Sequence, residues 1–98
     1  MTVQQPSSPP LVQIGALYLK AGILPLAEAS YRRALEIAHG EDDAYTQATA
    51  LMGLGQVAYA ARSNAEAGEY LRQALDLYHK LGEAGQVQAA DSLLAEIK

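Results

Sequence analysis

With 98 residues, no cysteine and a net charge of −4, the chain is at most one small domain, and disulfides, thiol redox chemistry and cysteine-ligated zinc are excluded. Lys and Arg total 7 against 11 Asp and Glu, which argues against a nucleic-acid footprint, since phosphate binding needs clustered basic residues. Half the residues are hydrophobic, but many are alanine and the only aromatics are tyrosines, so helices can approach closely while each side chain buries little area. There is no apolar run near the ~18 residues that span a bilayer, and no basic-then-apolar leader pattern. A soluble cytoplasmic protein is the expectation.

Residues 1–10 read as a flexible lead-in, because Gln4-Gln-Pro-Ser-Ser-Pro-Pro10 packs three prolines and two serines into a short polar stretch. From Leu11 to Ala21, the apolar residues Leu11, Ile14, Leu17 and Tyr18 fall at helical spacing, and Gly22 supplies a stop. Pro25 suits the first turn of a second helix, whose stripe of Ala27, Tyr31, Ala34, Leu35 and Ala38 should face the first. Gly40 is read as its end. Glu41-Asp-Asp43 then places carboxylates at the start of a third helix, about Asp43 to Ala61, where they cap rather than bind a metal. Ser63-Asn-Ala-Glu66 matches a capping box and begins a fourth helix that continues to about Lys80. A fifth, from about Glu83 to Lys98, completes the chain.

The second and fourth helices are copies. Ala27, Arg32, Ala34, Leu35 and His39 recur as Ala67, Arg72, Ala74, Leu75 and His79, an offset of 40 residues, because 67 − 27 = 40. Leu11, Gly15 and Ala21 recur as Leu51, Gly55 and Ala61 at the same offset. A shared register over two segments makes the repeating unit a pair of helices, the pattern of an α-solenoid. The predicted fold is all-α, with units at 11–40 and 43–81 and a terminal helix at 83–98. That last helix aligns with the third and reads as the end cap of the stack.

These residues resemble the tetratricopeptide repeat. The first unit carries Leu11, Ile14-Gly15, Tyr18, Gly22, Ala27, Tyr31 and Ala34-Leu35; the second carries Leu51, Leu54-Gly55, Ala58, Arg62, Ala67, Leu71 and Ala74-Leu75. Ala58 and Arg62 depart from the family's tyrosine and turn glycine, and the offset exceeds the usual one of about 34. The resemblance implies a right-handed superhelical stack that binds protein partners without catalysis.

Chemistry has few places to reside. His39 and His79 are repeat-equivalent helix ends that favour the dipole rather than form a metal site. No nucleophilic triad or phosphate-cradling loop is present, so no enzyme, cofactor or metal is expected. The candidate site is the surface of the first-type helices turned away from their partners. It comprises Val12, Ala16 and Leu19 on the first helix, then Tyr45, Thr49, Met52, Gln56 and Tyr59 on the third, spaced 4, 3, 4 and 3 as in a helix-binding seam. Ala89, Ser92, Leu93 and Glu96 continue it on the fifth.

The family's chaperone-tail binders hold a terminal carboxylate with Lys, Arg and Asn on this face. Val12, Ala16, Gly53, Gln56 and Ala60 stand at the matching positions here. The expected occupant is therefore an amphipathic helix or an apolar extended peptide from a protein partner. A homo-oligomer formed through the groove or an open end of the stack is the alternative, because two and a half units fall short of the about three that stand alone.

Overall fold

The computed structural model describes residues 10–97, so the lead-in expected at 1–10 lies, but for Pro10, outside the described residues. Five helices follow one another: α1 (Leu11–Ala21), α2 (Leu24–Gly40), α3 (Ala44–Ala60), α4 (Asn64–Leu81) and α5 (Ala84–Ile97). Each packs on the next, and α1 also reaches α3. The result is an elongated stack of 52 × 31 × 21 Å.

The four turns between the helices are one motif repeated. Gly22, Asp42, Arg62 and Gly82 all take left-handed backbone, with φ of 79, 56, 67 and 73°, at intervals of 20 residues. At each turn the next amide donates to the carbonyl five residues earlier: Ile23 to Tyr18 at 2.9 Å, Asp43 to Ala38 at 2.9 Å, Ser63 to Ala58 at 2.8 Å and Glu83 to Tyr78 at 3.0 Å. The left-handed residue itself bonds to the carbonyl three before it, as Gly22 does to Leu19 at 3.0 Å. This is the Schellman arrangement, and it pairs carbonyls in the last turns of the first four helices. The repeat of 40 seen in the sequence is thus two helical steps of 20.

α2 ends at Gly40 as expected, with the left-handed reversal falling on Asp42. Aspartate visits this region more readily than most residues, since its short polar side chain bonds locally. One expectation at these turns needs correction. Ser63 starts α4 but makes no side-chain cap bond. The box needs Glu66 to reach the Ser63 amide, and Ala58 has already taken that proton. Asp43, by contrast, accepts from the Thr46 amide at 3.1 Å, and hydrogen bonding from the Thr46 side chain and then from that amide holds its carboxyl below the ordinary value.

Small residues let the helices close. The core is Ala27, Ala34, Ala38, Ala48, Ala50, Ala67, Ala74 and Ala90, filled by Tyr31, Leu51, Leu54, Val57, Leu71 and Tyr78. The ring of Tyr31 lies across two glycines: a Cβ on Gly15 of α1 would stand 3.0 Å from it, and one on Gly53 of α3 would stand 2.3 Å away. Leu71, the equivalent of Tyr31, covers Gly55 in the same way, with 2.7 Å to a Cβ there. The stripe on α2 therefore serves α3 as well as α1. Leu17 is a further correction: it shares the helical spacing of core residues yet is 67% exposed.

Arg62 holds left-handed backbone without the freedom of glycine. Replacing it, Arg62→Gly should raise stability by about 0.5–1 kcal/mol, read as a shift of the urea midpoint at constant slope. A Gly53→Ala change gains helix propensity but drives a methyl into the Tyr31 ring, for a net loss of about 1–2 kcal/mol. In the Gly53→Ala/Tyr31→Leu double variant the two costs should not add, because a leucine leaves room for the methyl. Additive losses in that cycle would show that the ring does not bear on Gly53.

Candidate protein-binding groove

α3 runs along the floor of a groove of ≈ 450 Å³ that α1 and α5 flank. α1 contributes Val12, Gln13 and Ala16; α3 contributes Tyr45, Thr49, Met52, Gly53 and Gln56; α5 contributes Gln86 and Ala89. Tyr31 and Tyr78 reach it from the second-type helices behind. None of these residues carries a full charge at neutral pH.

Of the twelve residues expected here, Val12, Ala16, Tyr45, Thr49, Met52, Gln56 and Ala89 line this one concavity, whereas Ser92, Leu93 and Glu96 of α5 do not. Tyr59 stands beyond its end, 37% exposed, with its hydroxyl 3.4 Å from Glu96 Oε1 on α5. Leu19 is displaced from the groove. It packs against the cluster of Ala27, Tyr31, Leu54 and Val57 and opens onto a different concavity with Leu17 and Lys20. Leu93 is half-buried on α5 and is not part of the groove lining.

Gln13, Gln86 and the two buried tyrosines were not read from the sequence. Tyr78 had a signal: it is a large residue where the first unit has Ala38, and a volume gain at one repeat position needs a space to enter. That space lies under α3. The ring meets Tyr45 edge-on, with centroids 5.9 Å apart and planes at 68°. Thr49 Oγ1 donates to the Tyr45 carbonyl at 3.0 Å, so the Tyr78 hydroxyl donates to Thr49 at 2.9 Å. These bonds fix the orientation of Tyr45 and Thr49 from below, and no buried side-chain polar atom among the described residues is left unpaired.

On the opposite side of the stack, Arg32 Nε and Nη2 both donate to Glu28 Oε2, at 3.0 and 2.7 Å. Such an exposed pair contributes little to stability. His39 and His79 occupy the last turns of α2 and α4 and are exposed. Among the described residues, no three His, Cys, Asp or Glu side chains come together as metal ligands, and no helix is long and apolar enough to cross a membrane.

Paired helices, a glycine and alanine interface at a fixed register, and a concave face built by the first-type helices define the geometry of a helical-repeat stack. A tetratricopeptide repeat family profile matches residues 9–80, which covers α1 to α4 almost completely. The chain belongs to the tetratricopeptide repeat family. No curated protein and no solved structure matches it. In this tetratricopeptide repeat protein the two matched units are α1–α2 and α3–α4, and α5 extends the stack beyond the match.

Burial pushes both the Tyr31 and Tyr78 phenols above their ordinary value. A raised folded-state value means that the fold favours the neutral phenol. The stability this provides is complete below the ordinary value of about 10 and is lost as pH rises through the folded values. Helicity should therefore fall in alkali together with the ionisation of the buried tyrosines. Far-ultraviolet dichroism and tyrosinate absorbance, followed over one titration, should share a midpoint. A Tyr31→Phe variant should retain its helices to higher pH.

Proposed function

We propose that this chain is a non-catalytic interaction module that holds an apolar extended peptide or an amphipathic helix in the groove between α1, α3 and α5. Membership of the tetratricopeptide repeat family supports a protein partner. The observation that carries the finer reading is the uncharged lining: Tyr45, Met52 and Val12 offer apolar surface, and Gln13, Gln56 and Gln86 offer paired donors and acceptors at its walls. A charged ligand terminus would lose its hydration here without gaining a counter-charge. Val12, Ala16, Gly53, Gln56 and Ala60, at the positions of the family's carboxylate clamp, leave no cation to hold a terminal carboxylate.

Tyr45 and Met52 are the anchors in this reading. Both are large, and Tyr45 is held by the Tyr78 edge contact, so little side-chain entropy remains to be lost on binding. The partner side chains that fit are uncharged.

The test is selection of peptides from a random display library on the wild-type chain, followed by affinity measurement on a Met52→Glu variant and a Tyr59→Glu variant. Selected sequences should be apolar or amphipathic, and Met52→Glu should weaken them by at least about tenfold, the equivalent of 1.4 kcal/mol. Tyr59→Glu, at the edge, should have the smaller effect. Equal affinity for wild type and Met52→Glu would place binding on another surface.

A further inference from the structure

The groove lining carries one glutamine from each of its three helices: Gln13 on α1, Gln56 on α3 and Gln86 on α5. Each amide has two N–H donors and a carbonyl acceptor. Thr49, beside them, is already engaged with the Tyr45 carbonyl and the Tyr78 hydroxyl. Among the described residues, no side-chain hydrogen bond involves any of the three glutamines.

The charge pattern of this lining complements a peptide group and not an ion. Partial positive N–H and partial negative carbonyl stand side by side, and no lining residue is ionised at neutral pH. An extended chain presents the matching groups along both of its edges, and each one it buries needs a partner. A helix has already paired its backbone internally. Laid in the groove, its apolar face would strip water from Gln56 and Gln86, both half-buried, and return no hydrogen bond.

Size gives the same preference. From Tyr45 to Gln56 the floor is about 16 Å long at ~1.5 Å per residue. About five extended residues cover that length, and at the ~4.8 Å and ~10 Å spacings of packed strands they fill about 800 Å³. The half that faces the floor is about 400 Å³, close to the ≈ 450 Å³ of the groove. A helix ~11 Å across fills about 1,500 Å³ over the same length, and its inner half overfills the space.

On the reading that this groove is the binding face, we infer that its occupant is an extended strand of about five residues, its backbone edges turned to Gln13 on one wall and Gln86 on the other. Successive side chains of a strand point to opposite faces. Residues i, i+2 and i+4 of the occupant therefore face the floor and are apolar, meeting Val12, Tyr45 and Met52. Those between them face solvent and are free to be polar or charged. The glutamines hold backbone of any sequence, and the floor selects the alternate side chains.

The test uses the tightest-binding peptide selected from the random library, made synthetically in three forms. One is unmodified, one carries single amide-to-ester replacements that each remove a peptide N–H, and one has a side-chain staple that locks a helix. Affinities are measured on the wild type and on Gln13→Met and Gln86→Met variants, which keep side-chain length and helix propensity and lose the amide. Both variants should keep the far-ultraviolet spectrum of the wild type. Selected sequences should alternate apolar residues with a period of two. At least one ester should weaken binding to the wild type about threefold to tenfold. The same ester should cost nothing further on the variant that lacks its glutamine, and the staple should abolish binding. Apolar residues at i, i+3, i+4 and i+7, retained binding of the stapled form, or ester losses undiminished in both variants would each overturn the strand, even where Met52→Glu still weakens the peptide. A peptide indifferent to Met52→Glu would instead overturn the groove as the binding face, and the strand with it.

Discussion

The Tyr31 ring laid across Gly15 and Gly53 is the contact that fixes how the two units sit together. One aromatic side chain of α2 touches the first helix of its own unit and the first helix of the next. The close approach depends on both glycines lacking a Cβ. Because α1 and α3 are set against the same ring, the angle between them, and hence the curvature of the face they share, follows from a single packing event. The interior is rich in alanine, whose burial contributes little per residue, so a large planar side chain at this junction supplies much of what joins unit to unit. Leu71 over Gly55 repeats the contact within the second unit, with a smaller residue and a single glycine.

The groove inherits its order from behind. Tyr45 and Thr49 are surface residues of α3, yet Tyr78 on α4 holds both, one by its ring and the other by its hydroxyl. Second-type helices therefore do more than support the stack: they set the orientation of side chains on its concave face. The uncharged lining follows from the same design, since α3 has no charged residue between Ala44 and Ala60. A net charge of −4 is carried elsewhere, on turns and outer helix faces.

The sequence made the helix pairs legible because identity at a fixed offset survives where intrinsic propensity is weak, as in the Ala27 to Leu35 and Ala67 to Leu75 copies. It also placed the α3 stripe, since Tyr45, Thr49, Met52 and Gln56 at steps of four and three can share only one face. Other features depend on partners that a local pattern does not contain. Leu17 has the spacing of a core residue, yet no helix among the described residues covers it. Leu19 falls on the predicted face by count but turns into the cluster around Tyr31. The Ser63 box failed through competition: its amide was needed by the preceding turn. Tyr31 looked like a residue of one interface and serves two.

Packing restricted to sequential neighbours also governs how the molecule comes apart. α3 buries eight residues, whereas α1 buries only Gly15 and α5 only Ala90. Nearly every contact joins helices adjacent in the chain or one step further, so either end can open without disturbing the centre, as in a one-dimensional array. Amide protons of α3 and α4 are then protected by the full unfolding free energy, and those of α1 and α5 by much less. The flanks of the groove are consequently its most readily opened parts, and any occupant that bridges α1 to α5 couples its own binding to the closing of both ends.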